Sequence, residues 1–366
     1  MTSVRETVKK AVAFGGPEWT PYTVGVVPRQ LEGHCRPDQI EALKVALREN
    51  GACEDDGHFY AQSLFANVRP TPTSFPEPYR ALGASEWVDE WGVIWTNRDF
   101  PRVSGHPLEA GWDLFPGYKL PDPHAAGRYD SAREVIARYP DRYRLGYVWF
   151  TFFERLWFLR GFNNMLMDTY DYPEEFTQLQ NRIVEFNVAS IEEQLRLGID
   201  GIFFSDDWGS QDDLLIRPDD WRKWYKPQYK RMFDAVHAGG ARVWMHLCGN
   251  VTAIIPDLIE VGLDVLNPIQ AQAMDIDALA AQFGGRLCFY GGADVQHTLP
   301  HGTAADVEDE VRHLIHIFGR YSGGYIGSTS HTILPDTPPE NIVALFRAFR
   351  NYSGWSAVCT ARSQDA

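Results

Sequence analysis

The sequence predicts a (β/α)8 TIM barrel with an elaborated N-terminal region, in a single domain of 366 residues. Three observations carry that prediction. From about residue 145 to about 355, short apolar runs alternate strictly with amphipathic stretches of helical spacing. Each run is apolar throughout, as a parallel strand covered on both faces should be. Polar residues follow nearly every run: Asp206 and Asp207, His246 and Cys248, Gln270, Asp294, His331. A barrel gathers all its strand ends around one mouth, whereas a doubly wound sheet concentrates them at one switch point. No Gly-x-Gly-x-x-Gly phosphate loop follows any run.

The elements follow in order. Residues 1 to about 20 read as a lead-in helix and loop, broken at Gly15-Gly16-Pro17. Tyr22 to Val27 is a first strand candidate, and Pro37 to Asn50 a helix with Gly51 after it. Residues 66 to 146 are rich in Pro, Gly and Trp and weakly periodic; Gly92 to Trp95 is a short strand candidate among loops. Loops this long tend to serve as walls or lids. Tyr147 to Phe153 is the next strand candidate, and Pro173 to Leu197 a long amphipathic helix. Ile199–Ser205, Val243–Met245, Val265–Asn267, Leu287–Tyr290 and Tyr325–Gly327 are strands. Pro218–Ala238, Ile254–Val261, Ile276–Phe283, Ala304–Gly319 and Pro339–Tyr352 are the helices between and after them. About 1–144 thus forms the N-terminal extension and loop-rich part, and about 145–355 the regular β/α units.

Composition narrows the partners. With 34 basic and 49 acidic residues, the formal net charge of −15 argues against nucleic acid or an anionic membrane. The apolar stretch Tyr147–Phe162 is interrupted by Glu154, Arg155 and Arg160 and is too short to span a bilayer. Five cysteines without framework spacing, and no apolar signal core at the N-terminus, fit a reduced cytoplasmic protein. A small-molecule substrate is expected, and a homodimer is one allowed state.

The chemistry centres on Val243-Trp-Met-His246-Leu-Cys248-Gly249-Asn250. Residues two apart on an extended chain point to one side, so His246 and Cys248 converge at a strand end. Zinc takes such nitrogen and sulfur ligands, and three protein ligands leave a fourth position for substrate. His331, at another strand end, is the candidate third ligand; the plainer alternative is a loop histidine capping the next helix. Adjacent Asp206 and Asp207 must point opposite ways, so only one faces the mouth as acid, base or orienting carboxylate, while the other serves as a turn or cap. Glu154 is a further catalytic candidate, with an ion pair to a neighbour as its alternative. Gln270, Asp294 and Trp208 are candidate substrate contacts, although a strand-end carboxylate often just caps a helix. Trp87, Trp91, Trp95 and Trp112 could line a flat apolar pocket or simply pack.

Asp206-Asp-Trp-Gly-Ser-Gln211, His246-Leu-Cys-Gly-Asn250, Pro256-Asp-Leu-Ile-Glu-Val-Gly-Leu-Asp-Val-Leu-Asn-Pro268 and Thr337-Pro-Pro-Glu-Asn-Ile342 resemble the uroporphyrinogen decarboxylase superfamily, from about Leu145 to Tyr352. The resemblance implies a (β/α)8 barrel and one of two chemistries. True uroporphyrinogen decarboxylases need no metal and carry an N-terminal Arg-Gln-Ala-Gly-Arg motif; this chain has only Pro28-Arg-Gln-Leu31. The His-x-Cys pair is nearer the zinc-dependent cobamide methyltransferases, which add a later Cys before a Thr-Pro-x-Glu-Asn stretch. Here His331 stands about where that Cys would be. The branch implies Zn2+ held by His246, Cys248 and His331, and a corrinoid carried by a partner protein, since this chain lacks the corrinoid signature Asp-x-His-x-x-Gly. Cys-His-His neutralises zinc less than a two-thiolate set, which favours a methylated ether substrate over thiol activation. The alternatives are a metal-independent decarboxylase or lyase of a cyclic or aromatic acid, and a barrel that binds a small ligand without turnover.

Overall fold

The structure is a computed structural model that describes residues 2–26, 31, 35–55, 58–71, 80–82, 85–96 and 101–354. Seven parallel strands form one curled sheet: β1 Phe65–Val68, β2 Tyr143–Val148, β3 Gly201–Ser205, β4 Arg242–His246, β5 Val265–Asn267, β6 Cys288–Ala293 and β7 Tyr325–Thr329. The eighth position is filled by the segment around Tyr22. Tyr22 bridges Gly327 in parallel, Thr23 N–H donates to the Gly327 carbonyl at 2.8 Å, and on the other side Ala61 N–H donates to the Val24 carbonyl at 2.9 Å. The chain therefore forms the TIM barrel its alternation predicts. No helix among the described residues is long and apolar enough to cross a membrane.

Register sets the mouth. Ser205 lies opposite His246, and His246 opposite Asn267, so three strand ends stand abreast. Alternation sorts the side chains. Trp244 points into the barrel, 5.6 Å from the Phe65 ring and 5.9 Å from Tyr290. Its neighbours Val243 and Met245 are fully buried towards the surrounding helices, with the helix Lys226–Ala238 packed against this strand. At the opposite end of the barrel the helix Val4–Val12 packs across β2 and β7, latched by Arg5 on Asp200.

Three expectations change in detail. The strand read at Tyr147–Phe153 is Tyr143–Val148, and Phe153–Arg160 is already helix. Its first turn is pinned from outside by Asp206, which competes successfully with the aromatic, strand-favouring composition. The single helix read over Pro218–Ala238 is two, Pro218–Trp224 and Lys226–Ala238, because Pro227 has no N–H to continue the first. The region 66–146 contains the second β/α unit, β1 and the helix Asp130–Arg138. Between them lies an insert with a four-stranded antiparallel sheet, Arg80–Ala81, Glu86–Val88, Ile94–Thr96 and Arg102–Gly105. This insert follows the C-terminal end of β1, so topology places it at the mouth. The segment compared above with the arginine-rich motif, 28–31, lies outside the described residues except Leu31.

Candidate metal centre at the barrel mouth

His246 ends β4, Cys248 follows two residues on, and His331 follows β7. One ligand atom from each lies within 4.8 Å of the other two. His246 Nε2 is 3.1 Å from Cys248 Sγ, and the two imidazole rings are 5.9 Å apart, near a T-shape. The His246 tautomer follows from its other neighbour. Asn267 Nδ2 donates to the Tyr290 carbonyl at 2.9 Å, so its Oδ1 must face His246 Nδ1, 2.7 Å away. Nδ1 is then the N–H donor, and Nε2 turns a lone pair towards Cys248. This is how an outer amide prepares a histidine for a metal. Sequence alone did not single out Asn267, because only the register of β4 on β5 brings it beside His246.

Alternation settles the aspartate pair. Phe203, on the barrel side of β3, is 6.2 Å from the His246 ring, and Phe204 faces outwards, 5.2 Å from Phe233. Asp207 shares the parity of Phe203. Its Oδ1 accepts the Cys248 N–H at 3.0 Å and stands 3.9 Å from His246 Nε2. Asp206 points the other way and is fully buried. It accepts the N–H groups of Phe152, Phe153 and Glu154 at 3.0, 2.8 and 2.7 Å, plus the Tyr229 hydroxyl. Asp206 therefore caps the Phe153–Arg160 helix, and Asp207 is the carboxylate at the mouth.

Glu154 sits in the first turn of that helix, 9 % exposed, with Oε2 lacking a hydrogen-bond partner among the described residues. Burial, then the Asp206 and Asp207 charges, push its pKa up to about 9, so it is protonated at neutral pH. Arg155, its expected ion-pair neighbour, turns instead towards Asp89, 3.6 Å away. Burial, and after it Asp207, raise the Cys248 thiol pKa; burial and the facing His246 lower that of His331. A bound cation would reverse the shift at Cys248 by favouring its thiolate, and would take the imidazoles in their neutral form.

Of the three candidate substrate contacts, Gln270 braces the cluster, whereas Asp294 bonds to its own and the preceding loop and Trp208 packs in the core, away from any substrate. Gln270 Oε1 accepts the Gly249 N–H just past Cys248. Asp294 accepts from Gln272 Nε2 at 2.7 Å and from the Gln296 N–H at 2.8 Å. Trp208 is fully buried, stacked 3.9 Å from Phe153 with its Nε1 donating to the Tyr229 hydroxyl. The loops after β3 and β4 touch backbone to backbone: a Cβ on Gly249 (φ +82°) would lie 2.4 Å from Gly209 C. Only glycine fits there, and the contact fixes Cys248 against Asp207. Of the four loop tryptophans, Trp87, Trp91 and Trp95 line a cavity beside the mouth. Trp112 does not; its Nε1 donates to Asp168 at 2.9 Å under the Arg160 guanidinium.

Residues 151–352, more than half the chain, match the family model for uroporphyrinogen decarboxylase (URO-D). The chain belongs to the uroporphyrinogen decarboxylase family. It is 22 % identical over 188 residues to the uroporphyrinogen decarboxylase of Chloroherpeton thalassium, covering 50 % of this chain and 51 % of that one. It is 25 % identical over 179 residues to that of Pelodictyon phaeoclathratiforme, covering 48 % and 49 %. The chain thus matches about half the length of these curated URO-D relatives. Among solved structures it is similar to a methyltransferase from Methanosarcina mazei, with a TM-score of 0.66 and 18 % identity over 96 % of this chain and 99 % of that one. That likeness extends the shared barrel to almost the whole chain.

Proposed function

We propose that this URO-D family protein is a zinc-dependent methyltransferase that moves a methyl group between a small methylated ether and the cobalt of a corrinoid held by a partner protein. The observation that supports this reading is the convergence of His246, Cys248 and His331, with the His246 tautomer set by Asn267. The donor set fits zinc: one sulfur, two nitrogens and an open side towards the mouth. Held by His246, Cys248 and His331, zinc would supply a Lewis acid for the ether oxygen, and the partner's corrinoid would supply the acceptor for the methyl group. The chain's own groups prepare this step. Asn267 holds His246, and Asp207 with Gln270 holds the Cys248–Gly249 turn. Glu154 keeps a proton near Asp207, available to the departing oxygen. A thiol ligand suits the reducing cytoplasm.

A second reading, metal-independent decarboxylation, is favoured by the same protonated Glu154 beside Asp207 and by the decarboxylases among the curated relatives. Elemental analysis separates the two. Methyl transfer requires close to one zinc per chain in freshly purified protein, falling well below that in Cys248→Ser and His331→Ala together with transfer to a reduced corrinoid. Zinc content and activity untouched in His331→Ala would sink the first reading. A metal-free protein that turns over a carboxylic acid alone would establish the second.

A further inference from the structure

A cavity of about 650 Å³ opens on the mouth side of the barrel, walled by the antiparallel insert and the ends of β1 and β2. Its size suits a small organic molecule. Two features define its chemistry. The walls are aromatic: Trp95 stacks on Phe150 at 5.5 Å, and Trp91 meets Phe186 edge-on at 4.8 Å. An aromatic wall of this kind favours a flat ring against it. Among the described residues the charged lining is cationic by one, with Arg69, Arg128 and Arg155 against Asp89 and Glu90. Glu90 is occupied by Arg128 at 2.6 Å. Asp89 is occupied by the Trp91 and Val93 N–H groups and by Trp95 Nε1. Arg155 is 5 % exposed; its Nη1 stands 3.6 Å from Asp89 Oδ2, an ion pair without a hydrogen bond, and its guanidinium lies 4.4 Å from the Trp91 ring. Arg69 lies over Tyr147 at 4.7 Å and Trp149 at 5.6 Å. The unused Arg155 N–H asks for an acceptor, and Arg69, lying over two aromatic rings, supplies the charge that favours an anionic one. The local excess is the more telling in a chain of net charge −15.

We infer that this cavity binds a single-ring aromatic carboxylate, its ring against the aromatic wall and its carboxylate on Arg69 and the unused Arg155 N–H. The reach to the metal cluster is short. Tyr147 of the cavity packs 5.4 Å from Phe203, and Phe203 packs 6.2 Å from His246. Under the methyl-transfer reading, on which this inference builds, the substrate is a methoxylated benzoate whose ether points past Phe203 towards His246.

Calorimetric titration of the full chain with 4-methoxybenzoate and with its neutral counterpart 4-methoxybenzamide tests this. The carboxylate should bind at least about tenfold more tightly than the amide, as expected of one charge-assisted bidentate contact. Arg69→Ala, at an exposed position, and the conservative Arg155→Lys should each weaken the carboxylate about fivefold or more and leave the amide unchanged. Equal binding of the two probes, or binding of neither by folded protein, overturns the inference. Repeating the titration on Cys248→Ser keeps the two proposals apart. Benzoate binding that survives loss of zinc supports the cavity assignment whatever the methyl-transfer assay gives. Zinc-loaded, methyl-transferring protein that ignores both probes refutes the cavity assignment alone.

Discussion

Glu154 is a carboxylic acid placed where an ionised one would be expensive: nearly enclosed, facing Asp206 and Asp207, with one oxygen lacking a hydrogen-bond partner among the described residues. Its folded-state pKa lies above its unfolded one, so the native state holds an extra proton from about pH 4.5 to about pH 9. Unfolding free energy should therefore fall as pH rises through that window, by at most about 1.4 kcal/mol per pH unit for one group. Glu154→Gln mimics the protonated acid. It should flatten this dependence in urea titrations at pH 6 and pH 9 and slow the proposed methyl transfer. An unchanged slope would remove the proton from Glu154. At the same scale, the three ligand candidates were legible because period-two spacing and strand-end position survive in the bare sequence. Asn267 was not, since a strand-end asparagine has many uses until register puts it against an imidazole.

At the scale of elements, one side chain starts a helix from a distance. The first turn of Phe153–Arg160 has orphan N–H groups, and its own cap residue, Phe152, offers no side-chain acceptor. Asp206 fills the role from the end of β3, and burial raises its pKa against the pull of those N–H groups and the Tyr229 hydroxyl. Asp206→Ala leaves several buried donors unmatched. We expect about 3 kcal/mol of destabilisation by urea titration, above an ordinary cap loss. A loss under 1 kcal/mol would show that water replaces the carboxylate. Local sequence could not reveal this helix start, because its cap lies more than fifty residues away in the chain. The regular strands and helices from 199 to 352 were legible because each carries its own period and its own breaker. The insert was not, because its short strands are defined by one another and by the cavity they enclose.

At the scale of the whole molecule, the barrel is closed by its ends: the segment at Tyr22 joins β7, and the N-terminal helix latches below. Arg5 grips Asp200 through two bonds, at 2.7 and 2.8 Å. Burial alone would raise the Asp200 pKa; Arg5, the Arg144 N–H and Lys9 reverse this and lower it. The stability from that pairing is complete well above the ordinary aspartate pKa and lost as pH falls through the depressed one. Arg5→Ala should accordingly cost about 2 kcal/mol near pH 7, with the gap from wild type narrowing towards pH 3. A gap that stays constant with pH would assign the loss to packing of the Arg5 stem instead. The N-terminal half was only partly legible, since closure depends on partners some three hundred residues apart. The barrel also divides its labour along the chain. The metal ligand candidates run from 246 to 331, inside the stretch that matches the family, while the cavity walls come from 69 to 190 and lie mostly before it. Gene segments encoding the two could diverge at different rates, so a lineage could acquire a new substrate by rewriting the insert while inheriting its reaction centre intact.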